Sequence, residues 1–164
     1  MNPLDPKTAE ALGSALADSR EALIAALNPL FLALPGVRTV TWLAAIPERK
    51  ITLRVGTSDP RDFPVGGFDP IDDEAWSRRI YREKLPIVGN TPAEMAAYIP
   101  ETADLERMGF GSTLCMPIVI GGAARGTVNL LGDAGIFTPD LLARLNSLLP
   151  LAALIFTFGE TAAP

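Results

Sequence analysis

The sequence predicts an α+β fold: a five- to six-stranded antiparallel sheet with the terminal helices on one face and a loop-and-helix insert on the other. Three observations predict it. Long apolar patterns of helical period occupy both ends of the chain. Between them lie two pairs of strand-like runs, each pair joined by a tight turn, which forces antiparallel pairing. A stretch from Asp59 to Gly111, rich in Gly, Pro and Asp, separates the pairs. With 164 residues, 48% of them hydrophobic and 20% charged, the chain is expected to build a single domain around one core, spanning about residues 8 to 158.

Four capping residues followed by proline mark helix starts: Asp5-Pro6, Asp69-Pro70, Thr91-Pro92 and Thr138-Pro139. The side-chain oxygen satisfies an orphan N–H, and proline in the first turn has no N–H to lose. The first helix is expected to run to about Leu34, because Leu12, Leu16, Leu23, Leu27, Phe31 and Leu34 form one stripe; Pro35-Gly36 ends it.

"GVRTVTWLAAI" and "KITLRVGTS" then read as a strand pair turning at Pro47-Glu48-Arg49. Val40, Trp42, Ala44 and Ile46 share one face, and Thr41, Leu43 and Ala45 the other. "SDPRDFPVGGFDP" is a loop with a short edge strand expected at Phe63 to Val65. A second helix is expected from Pro70, with Asp72, Asp73 and Glu74 in its first turn and Arg78, Arg79 and Arg82 later, matching the helix dipole.

"LPIVGN" reads as a short strand. Thr91 and Glu94 form a capping box for a short helix from Pro92 to Tyr98, and a helical turn is expected near Asp104 to Met108. The last helix starts at Pro139 and carries Pro150, where a kink is expected. Its run Leu141 to Phe158 is apolar, but Arg144, Asn146, Ser147 and Pro150 argue for a buried or partner-facing helix rather than a membrane span.

"GSTLCMPIVIGGAARGTVNLLG", residues 111 to 132, is a hairpin. A three-residue loop at Gly121-Gly122-Ala123 sets Ile120 opposite Ala124. Leu114 then meets Leu130 and Met116 meets Val128 on an aliphatic face. Thr113 meets Leu131, Cys115 meets Asn129 and Pro117 meets Thr127 on a mixed one. A one-residue slip would scramble that sorting. The mixed face is either a pocket floor or a core in which these polar groups bond locally.

The bulk composition excludes several classes of function. The formal charge is −5 without a basic tract, so no nucleic-acid partner is expected. There is no histidine, which removes the usual general base and the commonest metal ligand. One cysteine cannot form an internal disulfide; with no signal peptide recognisable at the N-terminus, a cytoplasmic location is expected.

"GFGSTLCMPIVIGGAARGTVNLL" resembles the signature of GAF domains, "FTPDLLARLNSLLPLAALI" resembles their closing helix, and "FPVGG…AW…LPIVGN" resembles the stretch over their ligand site. The resemblance implies an antiparallel sheet with a small-molecule pocket opposite the helices. It also marks departures. Bilin-binding members attach pigment through a Cys generally beside a His, haem-binding members supply an axial His, and methionine-sulfoxide-reducing members need a resolving Cys. None of these is available here, so neither bilin nor haem is expected. The motif of cyclic-nucleotide-binding members is not found. Standing alone, such a domain would signal through a separate effector protein or as a homodimer.

The ligand-binding candidates are Trp42, Arg54, Phe63, Trp76, Thr113, Cys115 and Asn129, with no catalytic or metal-ligating residue expected. Each has a plainer reading. Trp76 is a pocket wall or an anchor for the insert; Trp42 is a core anchor or a wall. Thr113, Cys115 and Asn129 face a ligand or bond within a filled core. Arg54 and Arg61 flank the glycine-rich loop and either clamp an anion or stand in solvent. Asp72, Asp73 and Glu74 are a hard-metal site or, more simply, helix-dipole acids. The function expected is a non-catalytic sensory or regulatory module that binds a small molecule; an enzyme acting on a small amide or carboxylic acid without His, and a dimerisation module with a filled core, are the alternatives.

Overall fold

The computed structural model describes residues 4–159. Two helices open the chain, α1 (Pro6–Asp18) and α2 (Arg20–Leu32). The sheet begins with β1 (Val37–Ile46) and β2 (Ile51–Thr57). The insert holds β3 (Phe68–Pro70), α3 (Ala75–Ser77) running into a π-helical turn at Arg78–Arg82, β4 (Ile87–Gly89), α4 (Pro92–Ala96) and α5 (Thr102–Arg107). The hairpin β5 (Ser112–Ile120) and β6 (Ala123–Gly132) follows, then α6 (Pro139–Ala153) with a 3₁₀ turn at Leu154–Thr157. The strands form one antiparallel sheet in the order β3-β2-β1-β6-β5-β4.

Three of the four cap-proline starts are as expected. The side chains of Asp5, Thr91 and Thr138 each accept an N–H from the first turn of α1, α4 and α6. Glu94 reaches back one residue further than a capping box requires, accepting from the Asn90 N–H at 2.6 Å. The fourth start is corrected: Asp69 and Pro70 lie in β3, paired with Thr52 and Ile51. Proline is tolerated there because the far side of an edge strand needs no donor. The helix begins at Ala75, so Asp72, Asp73 and Glu74 precede it and are not its dipole acids. The edge strand itself lies at Phe68–Pro70, not at Phe63 to Val65.

The first helix is two. Ser19 is extended (φ −162°, ψ 164°) and its hydroxyl caps α2 by accepting the Ala22 N–H at 3.1 Å. Serine's competing local hydrogen bond wins over helix continuity here. The apolar stripe crosses the break: Leu12 of α1 and Leu23, Leu27 and Phe31 of α2 are buried, whereas Leu16 is partly exposed. At the other end, α6 continues as α-helix through Pro150 to Ala153.

The β5–β6 register is the expected one from Thr113↔Leu131 to Pro117↔Thr127. The turn differs. Gly121 and Gly122 (φ 58° and 81°) form a two-residue loop, setting Ile120 opposite Ala123, and an irregularity between Ile118 and Val119 absorbs the extra residue. Positive φ at both central positions is the geometry whose twist matches a hairpin, and the bulge restores the register beyond it.

The two sheet faces are packed differently. Val40, Trp42, Ala44, Leu114, Met116, Val128 and Leu130 form the main core with α1, α2 and α6. On the other face the insert covers the sheet through two smaller clusters, Met95-Leu105-Phe110-Leu131 and Ile80-Ile87-Cys115. The terminal helices and the insert thus occupy opposite faces, as the sequence predicts.

Candidate functional site

A cavity of about 260 Å³ opens between the sheet and the insert. Leu43 of β1 and Asn129 of β6 form its floor. Trp76 and Ser77 of α3 form one wall, and Tyr98, Ile99 and Pro100, the connection from α4 to α5, form the other. Asp69, Asp72, Glu74 and Glu101 stand around its mouth.

Each wall is positioned by identifiable bonds. Ser77 is buried and its hydroxyl accepts the Asp72 N–H at 2.9 Å, folding the 72–77 segment back on itself. Asp72 also accepts the Glu74 N–H at 3.0 Å. The Trp76 indole N–H donates to the Cys115 sulfur at 3.4 Å, and its ring meets that of Tyr81 edge-on with centroids 5.8 Å apart. Tyr81 donates its hydroxyl to Thr52 Oγ1 at 2.7 Å. The π-helical turn therefore ties the tryptophan wall to both β2 and β5. Such turns replace one regular helical bond and recur at functional sites.

Two oxygens on this sheet face are buried without a hydrogen-bond partner: Asn129 Oδ1, on a residue of the floor, and Thr127 Oγ1, outside the cavity lining. Asn129 Nδ2 donates to Thr41 Oγ1 at 3.4 Å, which turns Oδ1 away from Thr41. Thr127 lies two residues earlier on the same face, opposite Leu43. Buried polar atoms without a partner are rare in folded proteins and call for an explanation.

The seven candidate residues divide into three groups. Trp76 and Asn129 line the cavity. Cys115 lies directly beneath Trp76 and Thr113 beside it on β5, both buried. Burial pushes the Cys115 thiol up to about 11 against hydrogen bonds with Trp76 and Thr113, so it stays protonated at neutral pH. The remaining three lie apart. Trp42 belongs to the helix-side core, fully buried: its N–H donates to Asn28 Oδ1 at 2.8 Å and its ring meets Phe31 edge-on. It is the core anchor, because its strand position faces the helices. Arg54 and Phe63 form a loop clamp: Arg54 Nη1 donates to the Pro64 carbonyl at 3.1 Å, with its guanidinium 5.8 Å from the Phe63 ring centre. Arg61 pairs with Asp62 in solvent.

Tyr98, Asp69 and Glu101 were not expected at the site from the sequence, and Asp72 and Glu74 were weighed only as a hard-metal site or as helix-dipole acids. Glu101 and Tyr98 reach the cavity only through the chain reversal between α4 and α5, which leaves no local pattern. Among the described residues, no group of three His, Cys, Asp or Glu forms a metal-holding cluster.

The architecture is that of an antiparallel-sheet domain with its helices packed on one face and a small cavity under an insert on the other. Comparison of coordinates gives that class its name: this is the GAF-domain fold. The chain is similar to the GAF domain of an Acinetobacter phosphoenolpyruvate-protein phosphotransferase at 9% identity and TM-score 0.69, covering 96% of this chain and 95% of that one. A GAF domain/HD domain protein from Geobacter sulfurreducens matches at 15% identity and TM-score 0.68, over 85% and 93%. The GAF domain of a Coxiella burnetii phosphoenolpyruvate-protein phosphotransferase matches at 18% and 0.65, over 91% and 90%. No family model and no curated protein sequence matches the chain.

Proposed function

We propose that the protein is a non-catalytic sensory or regulatory module that binds a small organic molecule between the sheet and the insert. The observation that carries this reading is the cavity walled by Trp76 and Tyr98 above the unpartnered oxygen of Asn129. An aromatic wall with one or two polar groups is the usual make-up of a small-molecule site. Occupancy would stabilise residues 57–111 against the sheet and so change what the domain presents to a partner. The buried, protonated thiol of Cys115 supports a binding role over a catalytic one.

The same reading takes the protein as cytoplasmic, free of bilin or haem, without nucleic-acid or membrane partners, and signalling to a separate effector or through a homodimer. The Pro139–Thr157 helix is long and apolar enough to cross a membrane, at mean hydropathy 1.4. Leu141, Leu145, Ala152 and Ile155 pack it onto the sheet, while only 22% of it is buried. Leu142, Leu148, Leu149, Leu151 and Leu154 also pack against that core, and the outer side carries Arg144, Asn146 and Ser147, which supports a core helix over a membrane span; the solution mass checks self-association directly.

A metabolite screen read by thermal stability and by Trp76 fluorescence tests the main claim. A ligand present at a hundredfold its Kd adds about 2.7 kcal/mol of stability, and Trp76→Phe removes the fluorescence response while Trp42 stays silent. A screen in which no compound moves either signal sinks the proposal.

A further inference from the structure

The cavity has a charge as well as a shape. Asp69, Asp72, Glu74 and Glu101 ring its mouth, and no lysine or arginine lines it. Two cations of the neighbouring segments are engaged: Arg82 pairs with Asp73 at 2.6 Å, and Arg54, whose charge Asp69 feels, donates to the Pro64 carbonyl. The carboxylates do not gather into a metal-holding group among the described residues; they spread around an opening of organic size.

The floor adds an independent constraint. Asn129 lines the cavity, its Oδ1 is almost wholly buried without a partner, and an amide oxygen can only accept. Its natural complement is an N–H donor. Thr127, fully buried on the same sheet face, has a hydroxyl that also lacks a partner. Between floor and mouth stand two aromatic side chains, Trp76 and Tyr98, whose ring faces attract cations as well as flat apolar groups.

Resting on the reading of this cavity as the ligand site, the geometry points to a ligand class: a primary ammonium or guanidinium compound with a compact apolar body. Its N–H donates to Asn129 Oδ1, its body lies against Trp76 and Tyr98, and its charge sits among the carboxylates. An anionic compound of the same shape meets four like charges, and a neutral one leaves their field unused.

Four probes of one shape separate the contributions: 2-phenylethylammonium, its N-trimethylated form, 2-phenylethanol and 3-phenylpropanoate. Each is titrated into the full chain, read by the Asn129 side-chain amide and Trp76 indole signals in ¹H–¹⁵N correlation spectra. The primary ammonium is expected to shift both signals at millimolar concentration. The trimethylated cation, which keeps the charge but has no N–H, is expected to bind several-fold more weakly, and the alcohol and the carboxylate more weakly still. Glu74→Gln with Glu101→Gln, both exposed and outside the core, weakens the ammonium about tenfold, and added salt does the same to the unaltered chain. Equal binding of the trimethylated form overturns the donor contact, and equal binding of the alcohol or carboxylate overturns the charge selection; in either case the cavity remains a ligand site. If none of the four moves either signal, the ligand class is overturned, and the metabolite screen decides separately whether the site binds anything.

Discussion

The indole N–H of Trp76 donates to the sulfur of Cys115 at 3.4 Å, a side-chain bond between the insert and the middle of β5 that adds to the β4–β5 pairing. Cys115→Ala removes the acceptor and leaves the N–H over an apolar hole. The expected loss is about 1–3 kcal/mol, read as a lower urea midpoint, with Cys115→Ser losing less because a hydroxyl can still accept. In the native chain the thiol should react with a disulfide reagent only as fast as the protein opens.

Alkali should destabilise the fold through two buried groups. Burial raises the Cys115 thiol from 9.0 to about 11 and the Tyr81 phenol from 10.0 to about 12. Both are neutral when folded, and the unfolded chain loses these protons first. Their contribution is therefore whole below about pH 9 and pH 10 respectively, and is lost as pH climbs through the two folded values. Each is of order 2–3 kcal/mol when fully expressed. Denaturation midpoints measured from pH 8 upward should fall, and Tyr81→Phe should flatten the upper part of the curve.

On the helix side, Asn28 bridges two elements: its Oδ1 accepts from Trp42 and its Nδ2 donates to the Thr57 carbonyl at 3.1 Å. Asn28→Ala strands a buried indole N–H and a backbone carbonyl together. A loss of about 2–4 kcal/mol is expected, checked by chemical denaturation, with the Trp42 emission shifted in the native state.

Two glycines should respond in opposite directions. At Gly126 a β-carbon would collide with the Leu43 carbonyl and the Phe156 ring, so Gly126→Ala is expected to cost about 3 kcal/mol or more. At Gly121, φ is 58° and nothing lies within 4 Å of a β-carbon. Asparagine tolerates that conformation, and Gly121→Asn should stabilise the hairpin by about 0.4–1 kcal/mol. Thermal unfolding of the two variants separates them.

Where the pattern is local and strict, the sequence is a reliable guide. Alternation along Thr113, Cys115 and Pro117 against Leu131, Asn129 and Thr127 determines the register, because a slip would put hydroxyls against the helices. Asp69-Pro70 misleads because proline serves an edge strand as readily as a helix start, and only the pairing with Ile51 and Thr52 decides between them. Ser19 misleads in the other direction: the apolar stripe continues through a residue whose backbone has left the helix. Of the site, Trp76 and Asn129 were legible as an aromatic in a helix start and an amide in a strand. Tyr98 and Glu101 were not, since they reach the cavity through tertiary folding alone.

Both margins of the sheet are stubs. β3 and β4 have three residues each, and β3 finishes on Pro70. Edge strands this short offer a neighbouring chain little main chain to extend, which works against runaway polymerisation through backbone pairing; the outer edge of β5 beyond Cys115, which β4 does not reach, carries a proline at Pro117.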